Sequence, residues 1–325
     1  MENRTLKDWL EDDLLKQIAP DAISGRDLSK EKFYNWKIKK IDRKMHWKGL
    51  EGGFSAMRRN AEKGNYYYKL YSDEECAAEP EKKNLNITFF PAEGGEKKPY
   101  ILLVPGGGFY NVWSLTEGWP NAKLFNDLGY TVFVLTYQIQ TDACAVKAMD
   151  AMAAAMEVIK KNKDVFNVDP DNYITCGFSA GGYIACLWNT EKGYKAYGIP
   201  KPQACFPVYP VTSYRLLSID SWDKGEDKDA FARFGVGVGM KEASESCFEI
   251  PEHVESFPPT AIFVSKKDKL VDPKHSENLA KALETAGIPC RLEIGKKGGH
   301  GFGTGEGMCM EGWQKRAVEW FENLK

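Results

Sequence analysis

Hydrophobic residues from about position 85 onward alternate between short unbroken runs and longer stretches with helical spacing. Unbroken apolar runs are typical of strands in a sheet that is buried on both faces. Such runs predict strands at 100–104 and 130–137, a mixed pattern predicts one at 85–91, and further strands are expected at 172–176, 204–209, 260–264 and 290–294. Helices are expected at about 117–128, 143–163, 183–188, 274–286 and 311–324. This alternation predicts an α/β fold with a mostly parallel, doubly wound sheet flanked by helices.

The first 80 residues show a different pattern. One group of apolar residues has the spacing of a helix face, and a second, less regular group alternates with Lys and Arg. The groups are Leu6, Trp9, Leu10, Leu14 and Ile18, followed by Phe33, Trp36, Ile38, Ile41 and Trp47. We expect residues 1–80 to form a helical extension packed on a main domain at 81–325. The alternatives are a lid at the rim of a ligand site or a subunit contact in a homo-oligomer, and, less favoured because nearby acidic residues cancel the basic ones, nucleic-acid binding.

A Gly-x-Ser-x-Gly motif, Gly177 to Gly181, lies between a predicted strand and a predicted helix. In that context the spacing is typical of a nucleophile elbow, a turn so tight that the serine takes strained backbone angles. Side chains two residues either side of the serine would collide, which glycine avoids. We predict that Ser179 is a nucleophile, and the alternative is a simple tight turn.

A serine nucleophile needs a general base, and the chain has four histidines. We favour His300, because it follows the last predicted strand and hydrolases with this elbow have the chain order Ser, acid, His. The acid should follow the strand at 260–264, where Asp268 comes first and Asp272 four residues later. We predict that Asp268 orients the imidazole and that Asp272 is a turn or helix N-terminal residue.

Three glycines after the strand at 100–104 complete the candidate chemistry. The loop Pro105 to Gly108 lets the backbone approach a substrate, so the N–H groups of Gly107, Gly108 and Ala180 are the predicted oxyanion-hole donors. The glycines match neither a dinucleotide-binding motif nor a P-loop, and we expect no nucleotide.

The chain resembles the α/β-hydrolase superfamily in the ordered motifs PGGGFYNVWSLTEG, VFVLTYQ, DPDNYITCGFSAGG, DKLVDP and GGHGFG. It is most similar to the hormone-sensitive-lipase-like carboxylesterases and the acetyl (xylan) esterase branch, with PGGG in place of HGGG. The resemblance covers about residues 85–325. It implies an α/β-hydrolase fold with the three catalytic residues already chosen, and a structural role for Ser114 and Glu117.

The resemblance also implies a serine carboxylesterase for small acyl esters, with no metal or organic cofactor. Acetyl groups on xylo-oligosaccharide-type carbohydrate are the favoured substrate, by analogy with the family. General aliphatic or hydroxycinnamoyl esters are the alternative. The alternative of another class is a non-catalytic ligand-binding protein with the hydrolase fold.

Aromatic side chains near the glycine loop and in a substrate-loop insertion at about 209–258 could line the substrate site. The insertion is expected to be irregular, because it is rich in Gly, Ser and Asp. Packing of about half of these aromatic residues in the core is an equal alternative. The candidates are Phe109, Tyr110, Trp113, Tyr214, Trp222, Phe231 and Phe234.

Composition narrows the list of partners. The formal charge of −2 argues against binding to nucleic acid or an anionic membrane. No apolar stretch is long enough to span a bilayer, and the charged N-terminus is unlike a signal peptide, so we expect a cytoplasmic protein. The eight cysteines form no CxxC pairs, which argues against a zinc site or a disulfide scaffold.

Overall fold

The computed structural model describes residues 4–92, 98–217 and 227–324, and strands of this part of the chain form one eight-stranded sheet. The strands are β1 Tyr67–Lys69, β2 Asn86–Phe90, β3 Tyr100–Val104, β4 Val132–Thr136, β5 Tyr173–Phe178, β6 Ala204–Val208, β7 Thr260–Ser265 and β8 Cys290–Gly295. Their order across the sheet is β1-β2-β4-β3-β5-β6-β7-β8. Strand β2 pairs antiparallel with β1 and β4, and every other pair is parallel. The predicted mostly parallel α/β sheet is confirmed.

Helices flank this sheet. They are α1 Leu6–Leu10, α2 Ile38–Met45, α3 Leu50–Glu62, α4 Asp73–Ala78, α5 Trp119–Asp127, α6 Cys144–Lys161, α7 Lys163–Phe166, α8 Ala180–Trp188, α9 Tyr214–Leu217, α10 Lys228–Val236, α11 Met240–Ser244, α12 Lys274–Thr285 and α13 Trp313–Glu322. Short 3₁₀ helices lie at Ala19–Asp21, Leu28–Lys30, Pro80–Lys82 and Ile250–Glu252, and a π-helical turn lies at Ser114–Gly118.

Buried apolar side chains form two clusters, one on each face of the sheet. Neighbouring residues of β3 point to opposite faces, so Leu102 belongs to one cluster and Leu103 to the other. The α8 face contains Leu102 and residues of α6, α8 and α12, and the α3 face contains Leu103 and residues of α1, α3, α5 and α13. Strands β2 to β7 are buried along their whole length, which explains why the sequence shows them as unbroken apolar runs.

The register of β3 and β5 positions the candidate site. Val104 pairs with Gly177, so the two strands end side by side. The chain therefore leaves β3 into the loop Pro105 to Gly108 beside the point where β5 turns into α8. Ligands of open parallel sheets bind at this carboxyl edge of the strands.

The N-terminal part is less helical than the sequence predicts. The apolar spacing from Leu6 to Ile18 predicts one helix, but α1 ends at Leu10 and turns follow. Leu6, Trp9 and Ile18 are nevertheless buried on the α3 face. Strand β1 was not predicted, because three residues are too few to show an alternating pattern. In this part of the chain, the apolar residues thus predicted burial correctly, but their spacing did not predict the helix boundaries.

The segment at about 209–258 is also more regular than expected. Its described residues, 209–217 and 227–258, contain α9, α10, α11 and a 3₁₀ helix. Asp227 caps α10 by accepting the N–H groups of Asp229 and Ala230, and Gly237 ends it with a φ of 84°. These start and stop residues are visible in the sequence, but the high Gly, Ser and Asp content outweighed them in the prediction.

A buried carboxyl group connects the N-terminal part to the sheet. Asp21 is 5% exposed, and its Oδ2 accepts a hydrogen bond from Asn86 Nδ2 at 3.0 Å. Burial raises the pKa of Asp21 from its ordinary value of 3.8 to about 7. The folded protein therefore binds this proton more tightly than the unfolded chain does, and the ionised form is a cost to folding near neutral pH.

We expect Asp21→Asn to stabilise the protein at pH 8 and to change its stability little at pH 4. The stability that the protonated carboxyl contributes is lost as pH rises from about 4 to about 7, and the amide does not titrate. The gain at pH 8 should be at most about 4 kcal/mol, since each pKa unit corresponds to about 1.4 kcal/mol. Urea unfolding of both proteins across this pH range tests this, and a gain independent of pH would contradict it.

Candidate active site

Ser179 lies in the turn between β5 and α8. It has φ 51° and ψ −117°, a strained conformation for a residue with a side chain. A Cβ at Gly177 would overlap the carbonyl oxygen of Gly181, and a Cβ at Gly181 would overlap that of Val104. The predicted steric reason for both glycines is present in the structure, and the turn has the form of a nucleophile elbow.

The structure brings Ser179, His300 and Asp268 together. His300 Nε2 lies 2.8 Å from Ser179 Oγ, and His300 Nδ1 lies 2.7 Å from Asp268 Oδ2. The carboxylate of Asp268 is fully buried, whereas the imidazole retains some contact with solvent. This arrangement can accept a proton from the serine hydroxyl and stabilise the imidazolium that forms.

The loop after β7 distinguishes the two candidate acids. Asp268 Oδ1 accepts the backbone N–H groups of Leu270 and Val271, both at 3.0 Å, and this fixes Oδ2 toward His300. Asp272 Oδ1 instead accepts the N–H of Lys274 at 2.9 Å, at the start of α12. Asp272 thus contributes to the turn that leads into the helix, and Asp268 contacts the imidazole.

A second histidine is buried near this loop but has a different environment. His275, on α12, accepts the backbone N–H groups of Thr212 and Ser213 through Nδ1. Burial lowers the pKa of His275 to about 4, so its ring is neutral near pH 7.

The glycine loop after β3 approaches the serine closely. Gly107 has φ 137° and Gly108 has φ 61°, conformations that favour glycine. Within residues 4–92, 98–217 and 227–324, the N–H groups of Gly107, Gly108 and Ala180 have no hydrogen-bond acceptor. Ala180 is also the first residue of α8, where the helix dipole favours negative charge. These donors can stabilise an oxyanion beside Ser179.

A buried glutamate connects this loop to the histidine loop. Glu117 Oε2 accepts the N–H of Gly106 at 2.6 Å, and Oε1 accepts the hydroxyl of Tyr209 at 2.9 Å. The Tyr209 oxygen accepts the N–H of Gly303 at 3.3 Å, and its ring contacts His300 at 4.8 Å between centroids. Burial raises the pKa of Glu117, and the hydrogen bond from Gly106 opposes that effect most strongly.

A cavity of about 400 Å³ adjoins Ser179 and His300. Four of the predicted aromatic residues form part of its wall: Phe109, Trp113, Tyr214 and Phe231.

Two other aromatic candidates, Tyr110 and Phe234, are not in the wall. Phe109 has φ 64°, so the loop turns its side chain inward and leaves Tyr110 54% exposed. The ring of Tyr110 packs on Phe234, 4.9 Å away, and neither lines the cavity. Trp222 lies outside the described residues.

The wall also contains residues that the sequence analysis did not assign to the site. Tyr183 follows Ser179 by four residues, one turn along α8, and this spacing could have identified it. Glu117 was expected only to be structural. Trp47 comes from the N-terminal part and meets Trp113 edge to face, with centroids 5.5 Å apart. Helical spacing could not reveal that contact, because Trp47 lies between two helices.

Two features are absent from the described ranges, 4–92, 98–217 and 227–324. No group of three or more His, Cys, Asp or Glu side chains in them is arranged to hold a metal ion. No helix in them has both the length and the apolar character needed to cross a bilayer.

Comparison with known proteins places these features in a family. The BD-FAE family model matches residues 85–283. An acetylxylan esterase of Xylanibacter ruminicola is 26% identical over 210 residues, which are 63% of this chain and 41% of that protein. This chain spans less than half the length of the curated relatives that it matches.

Two solved structures resemble this chain in fold over most of its length. An acetyl ester-xyloside bifunctional hydrolase from Caldicellulosiruptor lactoaceticus has a TM-score of 0.65 and 22% identity, over 80% of this chain and 96% of that chain. MGS-M1, an α/β hydrolase enzyme from a Medee basin deep-sea metagenome library, has a TM-score of 0.56 and 21% identity, over 74% and 92%. These likenesses show the fold, and they confirm the predicted α/β-hydrolase architecture. Since the family model matches more than half of the 325 residues, the chain belongs to the BD-FAE family and has the α/β-hydrolase fold.

Proposed function

We propose that this protein is a serine carboxylesterase that removes acetyl groups from carbohydrate, with acetylated xylo-oligosaccharides as the preferred class of substrate. The observation that carries the proposal is the hydrogen-bonded series from Asp268 through His300 to Ser179. Ser179 and His300 lie in the wall of a cavity, next to N–H groups that have no acceptor among the described residues.

In the first half of the proposed reaction, Ser179 Oγ attacks the ester carbonyl carbon while His300 Nε2 takes its proton. The carbonyl oxygen becomes an oxyanion that accepts the N–H groups of Gly107, Gly108 and Ala180. The imidazolium, stabilised by Asp268, then donates its proton to the departing alcohol, and the acyl group stays on the serine.

Water completes the cycle. His300 takes a proton from the water as it attacks the acyl-enzyme, and the same oxyanion donors stabilise the second tetrahedral intermediate. Ser179 recovers its proton from His300 as the carboxylic acid leaves. Each step uses groups of this chain and one water molecule.

The substrate class rests on two kinds of support. Two similar proteins are named for this chemistry, one as an acetylxylan esterase and one as an acetyl ester-xyloside hydrolase. The cavity volume is also within the usual range for small-molecule sites.

A non-catalytic ligand-binding protein explains the site less well. Binding alone does not require Ser179 to take a strained φ of 51°, which costs free energy of folding. It also does not require an imidazole that contacts both a hydroxyl and a buried carboxylate.

We expect Ser179→Ala to lower kcat/KM for p-nitrophenyl acetate by at least about 10³-fold, because the nucleophile is removed. The assay compares p-nitrophenyl acetate, butyrate and octanoate, a methyl hydroxycinnamate, and acetate release from acetylated xylo-oligosaccharides. Preference of the wild type for octanoate or the hydroxycinnamate would contradict the acetyl assignment. If folded wild type and variant were equally inert on every ester, the ligand-binding alternative would replace the esterase.

The two aspartates after β7 provide a matched pair of variants. We expect Asp268→Asn to lower kcat by about 10²- to 10⁴-fold, because the amide no longer stabilises the imidazolium. Asp272→Asn should change kcat by less than about threefold, because asparagine can also accept the N–H of Lys274. Steady-state kinetics on p-nitrophenyl acetate decide this. Equal losses in both variants would refute the assignment of Asp268.

Glu117→Gln should lower kcat by about tenfold or more, with a smaller change in KM. A glutamine amide has one oxygen that accepts and one NH₂ group that donates, so it cannot accept the Gly106 N–H and the Tyr209 hydroxyl on two separate oxygens as Glu117 does. The loop that carries Gly106 and Gly107 is then held less firmly beside Ser179. Glu322→Gln is the matched control. Glu322 also accepts a tyrosine hydroxyl, that of Tyr130, but it lies on α13 and does not line the cavity. An unchanged kcat in folded Glu117→Gln would show that this carboxylate does not position the loop.

A further inference from the structure

Trp47 belongs to the N-terminal part of the chain, but its ring lies in the wall of the cavity beside Ser179. It meets Trp113 edge to face at an interplanar angle of 86°. Trp113 lies against the oxyanion loop. Its backbone N–H donates to the carbonyl oxygen of Gly106 at 3.0 Å, and a Cβ at Gly107 would lie 2.9 Å from its ring. The two indole rings therefore extend the cavity wall away from the oxyanion donors.

The connection between α2 and α3 fixes the position of Trp47. His46 ends α2 with φ 58°, and Gly49 precedes α3 with φ 76°, so the chain turns sharply on both sides of the tryptophan. Gly49 lies close to Pro120, since a Cβ there would be 3.1 Å from the Pro120 Cβ. Phe33 packs on Trp47 at 5.0 Å between centroids. A ring held in this way loses little conformational entropy when a ligand packs on it.

The cavity wall has a buried side and an open side. On the buried side Phe109, Tyr183 and Tyr214 belong to the α8 face, and each is at most 6% exposed. On the other side Trp47 and Trp113 pack against the α3 face and are partly exposed. A small apolar acyl group fits the buried side, whereas an oligosaccharide has to extend into solvent and needs the open side.

We propose that Trp47 and Trp113 bind a sugar ring of the alcohol part of the substrate. This inference deepens the proposed esterase function and rests on it. A sugar ring presents C–H groups on its faces and hydroxyl groups at its edge, so a face can pack on an indole while the hydroxyl groups stay hydrated. The N-terminal part then selects acetylated oligosaccharides over esters of simple alcohols.

The variants Trp47→Leu and Trp47→Phe test this assignment of a sugar-binding role, with Trp36→Ala as the matched control. Leucine keeps apolar bulk between Phe33 and Trp113 but has no aromatic face, and phenylalanine keeps such a face. Trp36 is in the same part of the chain, lies 3.9 Å from the Lys40 ammonium and does not line the cavity. The substrates are acetylated xylo-oligosaccharides, ethyl acetate, which has no ring, and phenyl acetate, which has a ring but no sugar.

We expect Trp47→Leu to lower the ratio of kcat/KM for the sugar ester to that for ethyl acetate by about tenfold, mainly through KM. Trp47→Phe should retain most of the ratio, and Trp36→Ala all of it. Binding of xylotriose, measured by calorimetry in the Ser179→Ala background, should weaken by a similar factor when Trp47 becomes leucine. This second measurement does not depend on turnover.

Two results would overturn this assignment. One is an unchanged ratio in Trp47→Leu, whether both esters lose activity equally or neither does, and the other is a loss for phenyl acetate equal to that for the sugar ester. Equal losses for all three esters would mean that Trp47 only supports the oxyanion loop. Failure of the proposed function is distinguishable, because the wild type would then hydrolyse no ester or would prefer octanoate or the hydroxycinnamate, and xylotriose binding would still test Trp47.

Discussion

Three backbone segments approach one another at the carboxyl edge of β3 and β5 so closely that no side chain fits between them. A Cβ at Gly106 would lie 2.5 Å from the carbonyl oxygen of Phe178 and 2.9 Å from the Cβ of Ser179. Gly177 and Gly181 have equally little room. This contact places the hydroxyl of Ser179 beside His300 and beside the N–H groups of the proposed oxyanion hole. The remaining parts of the candidate site depend on it, since a displaced elbow would separate the proposed nucleophile from both.

The N-terminal part of the chain supports the same loop from outside the sheet. Ser24 donates its N–H to the carbonyl oxygen of Val112 at 3.0 Å, and Leu115 donates to that of Ala22 at 2.7 Å. These bonds hold both ends of the segment that carries Trp113. Together with Trp47 in the cavity wall, they make the described N-terminal part, from residue 4 to the end of α3, contribute to the candidate site as well as to the core.

The sequence alone predicted the features that depend on local patterns. Seven of the eight described strands were predicted from the sequence. The mostly apolar character of β2 to β7 reflects their burial along the whole length, whereas β8, which contains Arg291 and Glu293, is only partly buried. The strand-Gly-x-Ser-x-Gly-helix order located the elbow, since only glycine fits at the positions two residues before and two residues after Ser179. Chain order then singled out His300. Strand β1 was missed because three residues carry no detectable period.

The tertiary structure decided what depends on contacts between distant segments. The sequence favoured Asp268 over Asp272 only because Asp268 comes first after the strand, and it is the fold of their loop that turns Asp268 toward His300. Phe109 and Tyr110 are adjacent aromatic residues, but a positive φ at Phe109 sends one inward and the other to solvent. Trp47 reaches the cavity only because α3 packs on α5. A local pattern records which side chains are buried or strained, whereas long-range packing determines which of them meet.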